Sequence, residues 1–549
     1  MQASGAATPS SPESGLVRRL CDAACYDHAV DSIQHIETHI SHILLTGSYA
    51  YKIKKPLNLG FLDFSTLDKR LRACQEEVRL NQRLAPQIYL GVVPITGTPQ
   101  APQVNGSGRA IEYAVKMRQF PFDSTLDRLD DTGQLTRSHV EAIGRSVGRF
   151  HRLDCARAGD DSAWGDPEQV WYPVAQNFLQ ILPLLSDPAA AGQLVALRQW
   201  SEAEHRRLIP HMLQRRRAGL IRECHGDLHL GNLAWVDEQL LVFDCLEFDP
   251  ALRWIDIQSE IAFCTMDLMQ RGHTDLAWLL LNTWLEETGD YPGLALFRYY
   301  AVYRALVRVK IAAVRAGQAP EADPPDANQS DADQPRANQD GADPSGANQD
   351  GAEHARARND IQALLALATR LTSHPWPVRI DITHGLSGSG KTTVTHALMQ
   401  TPGAIRLRSD VERKRLAGLD AMAASGSRTG QGLYSDDATR RTYSRLADLS
   451  AALLEAGWPV IVDATFLARW QRDLFRELAR TQGVPFHILD FEVPESTLRQ
   501  RVGMRRRAGR DASEAGLEVL QHQIDQAQPL TANERAHAVP IHAHLPGRA

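Results

Sequence analysis

The feature that most constrains this chain is the run Gly385-Leu386-Ser387-Gly388-Ser389-Gly390-Lys391-Thr392, continued by Thr393. It comes one residue after Val378–Thr383, where Val378, Ile380 and Ile382 alternate as in a strand. It leads into a helical pattern over Thr392–Met399. A strand, a glycine-rich turn and a helix in that order have a definite chemical use. The glycines let backbone N–H groups turn inward around an anion at a helix N-terminus. The lysine supplies charge for β- and γ-phosphates, and the hydroxyl beside it is placed to ligate Mg²⁺. The expected phosphate contacts are Gly385, Ser387, Gly388, Ser389, Gly390, Lys391, Thr392 and Thr393. A glycine-rich structural turn has no need of the Lys391-Thr392 pair.

Three later segments extend this reading. Val460-Ile461-Val462-Asp463 reads as a buried strand ending in an acid, which makes Asp463 a candidate for Mg²⁺. Ala404–Leu407 is a shorter strand, followed by Arg408-Ser409-Asp410. Asp410 falls where ligands bind in open α/β sheets and is placed to take a proton from an attacking hydroxyl. Arg413, one helical turn on, is a candidate for a substrate anion. Leu498–Arg510 carries six arginines and reads as a helix closing over transferring phosphate, with Arg501 and Arg505 as its contacts. Together these features resemble the small P-loop kinases: nucleotide, gluconate and shikimate kinases, the kinase half of polynucleotide kinases, and zeta-toxin-like kinases. The resemblance implies ATP, Mg²⁺ and a five-stranded parallel sheet.

A second constellation lies upstream. His225-Gly226-Asp227-Leu228-His229-Leu230-Gly231-Asn232 is followed by Leu241-Val242-Phe243-Asp244. The spacing suits one acid that accepts a hydroxyl proton, Asp227, and two oxygen ligands for Mg²⁺, Asn232 and Asp244. His225 would brace the loop. This resembles the aminoglycoside phosphotransferase-like family, which includes choline, fructosamine and homoserine kinases. The match spans roughly residues 33–316 and takes in Glu247-Phe248-Asp249-Pro250 and Trp254-Ile255-Asp256. It implies a lysine on a small-lobe strand and a glutamate to orient it. Lys52 and Lys54 share a face of the strand at Ala50–Ile53. Lys52 is preferred, with Glu77 as partner on the Leu67–Leu84 helix and Glu76 as alternative. Gly47-Ser48 is expected over the phosphates, the nucleobase near Met117–Phe120, and Asp256 as a structural brace.

The remaining composition sets limits. The chain has 549 residues and a net charge of −6, which gives no general attraction to nucleic acid or to an anionic membrane. Seven scattered cysteines without a CxxC suit a reducing cytoplasm. The N-terminus lacks a secretory pattern, and no apolar run approaches membrane-spanning length. Residues 317–353 repeat Ala-Asn-Gln every ten residues and hold almost no large apolar side chain, so they read as a solvated insert between two helices.

The expected division is a disordered or helical lead-in over 1–32, a protein-kinase-like α+β domain over 33–373 and a P-loop α/β domain over 374–549. That order resembles bacterial two-domain proteins that join an aminoglycoside-phosphotransferase-like domain to a P-loop kinase-like ATPase. It implies a cytoplasmic enzyme with two ATP/Mg²⁺ sites that phosphorylates hydroxyls of a small molecule. The alternatives are a nucleotide-gated regulator and a polynucleotide 5′-hydroxyl kinase, and the acidic balance weighs against the second.

Overall fold

The computed structural model describes residues 12–60, 62–318, 345–373, 376–401, 403–421, 423, 432–508 and 516–541. They pack as two compact units, Met1–Trp164 with Gly219–Glu260, and Gly165–Ala218 with Ile261–Ala549.

The first unit opens with helix α1 (Pro12–Leu20) and strands β1 (Gln34–Glu37), β2 (Ser41–Leu45) and β3 (Tyr49–Lys54). Helix α2 (Leu67–Asn81) follows, then β4 (Tyr89–Thr98), β5 (Ala101–Val104), β6 (Ala110–Arg118), α3 (Leu126–Asp131) and α4 (Arg137–Arg149). The six strands form one antiparallel sheet in the order β1-β2-β3-β6-β4-β5. Strand alternation divides β3 between two faces. Tyr51 and Ile53 enter a core with Leu20, Leu44 and Ile95. Lys52 and Lys54 take the other face and meet Glu77 of α2. Thr66 starts α2 by accepting the Lys69 N–H at 3.3 Å.

The chain then passes through α5 (Pro167–Ile181) and α6 (Pro188–Arg217) of the second unit. It returns as β7 (Ile221–Glu223), β8 (Leu233–Val236), β9 (Gln239–Val242) and β10 (Trp254–Asp256). β8 and β9 make an antiparallel hairpin, and β10 pairs with β7. An antiparallel sheet with one helix, followed by short hairpins that carry the acidic loops, is the protein-kinase-like arrangement expected.

Helix α7 (Ile257–Gln270) starts in the first unit; α8 (Thr274–Thr288), α9 (Leu294–Gln318) and α10 (Ser345–Thr372) follow. The expected insert over 317–353 lies outside the described residues at 319–344. Its two ends are helical backbone, since α9 runs to Gln318 and α10 begins at Ser345.

The parallel domain comprises β11 (Ile380–His384), α11 (Lys391–Leu398), β12 (Ile405–Arg408), α12 (Ser409–Leu416) and α13 (Asp436–Glu455). It continues with β13 (Val460–Asp463), α14 (Arg469–Gln482), β14 (Phe486–Asp490), α15 (Glu495–Ala508), α16 (Leu517–Gln526), α17 (Ala532–Arg535) and β15 (Ala538–Pro540). Its sheet has five strands, all parallel, in the order β12-β13-β11-β14-β15. β11 is central, so the phosphate loop leaves the middle of the sheet at its carboxyl edge, as expected of a P-loop kinase.

Compactness divides the chain elsewhere than at the 373/374 junction: α8 to α10 share a unit with the parallel sheet. Trp278 of α8, Trp376 and Trp458 form a tight aromatic group, with ring centroids 5.0 to 5.7 Å apart. The Trp458 indole N–H donates to the Leu294 carbonyl at 3.3 Å. Among the described residues, no helix is long and apolar enough to cross a membrane. All seven cysteines are free thiols.

Candidate active sites

In the first unit, α2 and the segment after β9 converge on the Lys52–Lys54 face of β3. Lys52 Nζ lies 2.9 Å from Glu77 Oε1 and also pairs with the carboxylate of Asp244, which follows β9. Lys54 pairs with Glu77 and with Glu247. Glu77 is wholly buried and is long enough to hold both ammonium groups. Burial alone would lower the Lys52 pKa, but Asp244 and Glu77 outweigh it and hold it well above its ordinary value. Burial raises the Asp244 carboxyl, and Lys52 more than offsets this, so the group stays below its usual range. Glu76, the alternative partner, is turned away: it binds Arg79 and, at 2.6 Å, Arg253.

The loop that carries Asp227 is braced from several sides. His225 Nε2 donates to the Phe243 carbonyl at 2.8 Å. The Glu260 carboxylate accepts the N–H groups of His225 and Gly226 at 2.5 and 3.0 Å. Gly226 has φ +90, and a Cβ there would stand 3.0 Å from the Leu252 carbonyl. Asn232 donates to the Asp227 carbonyl at 2.9 Å and to its carboxylate at 3.1 Å. Asp244 has φ +63, and its N–H donates to the Tyr89 hydroxyl at 3.1 Å. The Cys245 N–H donates to Asn81 at 2.9 Å. Strained backbone of this kind persists where the surroundings over-determine it. Asp256 accepts the Gln258 N–H at 2.9 Å, so it caps α7 as a brace.

One expectation is corrected. Gly47-Ser48 forms the β2–β3 turn and is tied to Gln119, at the strand end away from Lys54. The turn that reaches the lysine end is Thr38-His39-Ile40 between β1 and β2: the Lys55 N–H donates to the Ile40 carbonyl at 2.9 Å. Antiparallel order decides this, and glycine content does not reveal it. Met117 and Phe120 share a cluster with Phe243, Phe120 and Phe243 packing edge to face at 5.2 Å.

In the second unit, the phosphate loop borders a cavity of about 420 Å³. Ser387, Gly388, Gly390, Lys391, Thr392 and Thr393 line it from the loop. Gly385 and Ser389 form the inner turn, where Lys391 Nζ donates to the Gly385 and Leu386 carbonyls at 2.9 and 2.8 Å. Gly388 has φ +87, and a Cβ there would meet Val502 and Leu498 of α15 at 3.0 to 3.1 Å. Asp463 faces the same cavity, and its Oδ2 accepts the Thr395 hydroxyl at 3.0 Å. Asp410 also lines the cavity, with Arg408 and Arg413. Arg413 donates to the Leu433 carbonyl and to Thr439, and its guanidinium covers the Tyr434 ring at 5.3 Å.

Helix α15 packs through Leu498 and Val502 beside Leu386 and Leu520, so one side of it is anchored. Arg501 turns into the cavity, and its Nη1 is buried with no hydrogen-bond partner among the described residues. Arg499 is held by Glu495 at 2.7 Å on the exposed side. The Arg505 side chain lies outside the described residues. Gln523 of α16 was not expected: its amide oxygen accepts the Ser387 N–H at 2.9 Å.

The hard oxygen donors Asn232 and Asp244, and likewise Thr392 and Asp463, suit Mg²⁺. The half-buried Arg501 guanidinium and the inward lysine suit a nucleotide's phosphates.

Residues 380–530 match the family model described as AAA domain. An uncharacterized protein of Mycobacterium tuberculosis (strain ATCC 25618 / H37Rv) is 28% identical over 476 residues, covering 83% of this chain and 84% of the relative. A Mycobacterium bovis protein matches to the same extent. Among solved structures, a choline/ethanolamine kinase family protein from Mesorhizobium loti is 12% identical, with a TM-score of 0.34, over 65% of this chain and 99% of its own. A gluconokinase from Sinorhizobium meliloti 1021 is 23% identical, with a TM-score of 0.22, over 30% of this chain and 82% of its own. The first unit thus joins the antiparallel lysine sheet to braced acidic loops in a protein-kinase-like fold, and the second sets a P-loop on a parallel sheet, four of whose five strands lie within the residues that match the AAA domain model.

Proposed function

We propose that this chain is an ATP-dependent phosphotransferase with two Mg·ATP sites, each transferring phosphate to a hydroxyl of a small molecule. The observation that carries the reading is the Lys52–Asp244 pair, closed between residues nearly two hundred positions apart beside Asp227 and Asn232. A fold that needed only stability would gain little by holding two lysines and three acids, one of them a left-handed aspartate, at one face.

In the first site, Lys52, oriented by Glu77, binds the α- and β-phosphates, and Asn232 with Asp244 holds the metal. Asp227 accepts the proton of the acceptor hydroxyl. In the second site, Lys391 and the loop N–H groups bind phosphate, and Thr392 with Asp463 holds the metal. Asp410 takes the acceptor proton, and Arg501 stabilises charge on the transferring group. Mg²⁺ supplies the remaining charge neutralisation when bound. Arg413, beside Asp410 and over Tyr434, favours an acceptor that carries its own anionic group. We take residues 33–373 and 374–549 as the two functional domains, in a cytoplasmic protein.

The test is the purified full chain with ATP, Mg²⁺ and a metabolite extract, read by mass spectrometry. New phosphorylated species are expected, some lost in Asp227→Ala and others in Lys391→Ala. If neither substitution changed the products, the reading would be wrong. Nucleotide binding without any product would favour a nucleotide-gated regulator.

A further inference from the structure

The wall of the P-loop cavity is supported by a helix from outside the parallel domain. β12 is the edge strand of its sheet, and the outer backbone groups of an edge need partners. Asn282 of α8 supplies two. Its side-chain amide donates to the Ala404 carbonyl at 2.9 Å, and its carbonyl oxygen accepts the Arg406 N–H at 2.8 Å.

One helical turn further along α8, Glu286 meets the side chains of the same strand. Its Oε1 accepts Arg406 Nε at 2.9 Å, and its Oε2 lies 3.5 Å from an Arg408 Nη1. Arg415 of α12 donates to the Glu286 backbone carbonyl. The contact is close at its far end too: Gly289 sits at φ +74, and a Cβ there would stand 2.7 Å from Arg415 Nε.

Arg408 is the pivot. It lines the cavity, and its Nε is 3.9 Å from Asp463 Oδ2. One guanidinium therefore stands between two carboxylates, Glu286 on α8 and Asp463 at the end of β13. Asp463 is the acid that the proposed function assigns to Mg²⁺, and the role of Glu286 rests on that assignment.

We infer that Glu286 is a positioning residue for the P-loop site: it holds Arg408 back from Asp463 and so leaves that carboxylate available to the metal of the bound nucleotide. Remove the Glu286 charge, and Arg408 loses a carboxylate partner and closes on Asp463. Asp463 is then neutralised by a fixed cation and competes poorly for Mg²⁺. The P-loop domain thus relies on α8 both for a covered edge strand and for the charge balance of its metal site.

The test uses the full chain and a fluorescent ATP analogue. Binding at the P-loop site is the part of the signal lost in Lys391→Ala. Its Mg²⁺ midpoint is compared in wild type, Glu286→Gln, Asn282→Ala and the double variant Glu286→Gln/Arg408→Gln, with thermal melting alongside. Glu286→Gln is expected to raise the Mg²⁺ midpoint about tenfold, and the double variant to bring it back, a coupling that only interacting residues show. Asn282→Ala is expected to lower the melting temperature and leave the midpoint in place. Should Glu286→Gln not fold, Arg408→Gln serves instead and is expected to lower the midpoint. An unmoved midpoint in folded Glu286→Gln, an equal shift in Asn282→Ala, or a raised midpoint in Arg408→Gln would overturn the inference. Wild type without Lys391-dependent nucleotide binding would overturn the site reading and this inference together.

Discussion

The two candidate sites are built by opposite means. On the kinase-like face, cations and acids answer one another: Lys52 and Lys54 are held by Glu77, Asp244 and Glu247. On the P-loop side, much of the work falls to backbone, through glycines with positive φ, and the cations Arg501, Arg413 and Arg408 line an open cavity. The difference teaches where each site keeps its stability. A lysine cluster buried with its acids is part of the fold, and removing one partner strands a charge. A lysine that binds loop carbonyls can be removed at small structural cost. Asp244, the acid proposed for the metal, is also the partner of Lys52, the lysine proposed for phosphate, so nucleotide and Mg²⁺ are expected to enter the first site together.

That contrast can be tested at four strengths. The largest effect is expected from Asp227→Asn, which should slow phosphate transfer at the first site by about 10²–10⁴ and leave nucleotide binding within about twofold. Parallel turnover and binding measurements check it; a matching loss of binding would make Asp227 a ligand-holding group instead.

Glu77→Gln comes next. It leaves two buried ammonium groups short of charge and should destabilise by about 3–5 kcal/mol. Lys391→Ala should cost less, about 1–2 kcal/mol. Denaturant unfolding of both variants compares them directly, and equal losses would erase the distinction between a site built into the fold and one laid on it.

Arg501→Ala should weaken nucleotide binding at the P-loop site about tenfold with no change in melting, since it removes a charge that has no hydrogen-bond partner at Nη1 among the described residues. Calorimetric titration reads this.

A further effect appears in acid. Burial raises the Glu534 carboxyl, but Arg472 at 2.7 Å and the Thr531 N–H outweigh it and hold it at about 2 against an ordinary 4.5. A depressed carboxyl contributes stability above its unfolded pKa and loses it as pH falls. The second unit should therefore weaken between pH 4.5 and about 2, and Arg472→Met should flatten that part of the curve.

Much of the molecule is legible in its sequence because short motifs fix short-range geometry. The glycine run, Lys391 and the alternating strand before it dictate a phosphate loop wherever they stand. HGDLHLGN places Asp227 and Asn232 on one tight loop for the same reason. Lys52 and Lys54 illustrate the limit. Strand alternation puts both on one face, so sequence alone leaves the choice open. The structure uses both, because Glu77 reaches each and two different acids complete the pairs. Gly47-Ser48 misled because a turn's place over a site depends on strand order, which composition does not carry. Asn282 and Glu286 gave no signal at all. They lie on an apolar helix, and their partners at Ala404, Arg406 and Arg408 are over a hundred residues away.

The central claim is that one chain holds two nucleotide sites of unrelated architecture, and binding stoichiometry tests it most directly. Isothermal titration of the full chain with a non-hydrolysable ATP analogue in Mg²⁺ should give two sites per chain. Lys391→Ala and Asp244→Asn should each leave one site, and the double variant none. A single site in the wild type, abolished by one of these substitutions and untouched by the other, would contradict the claim.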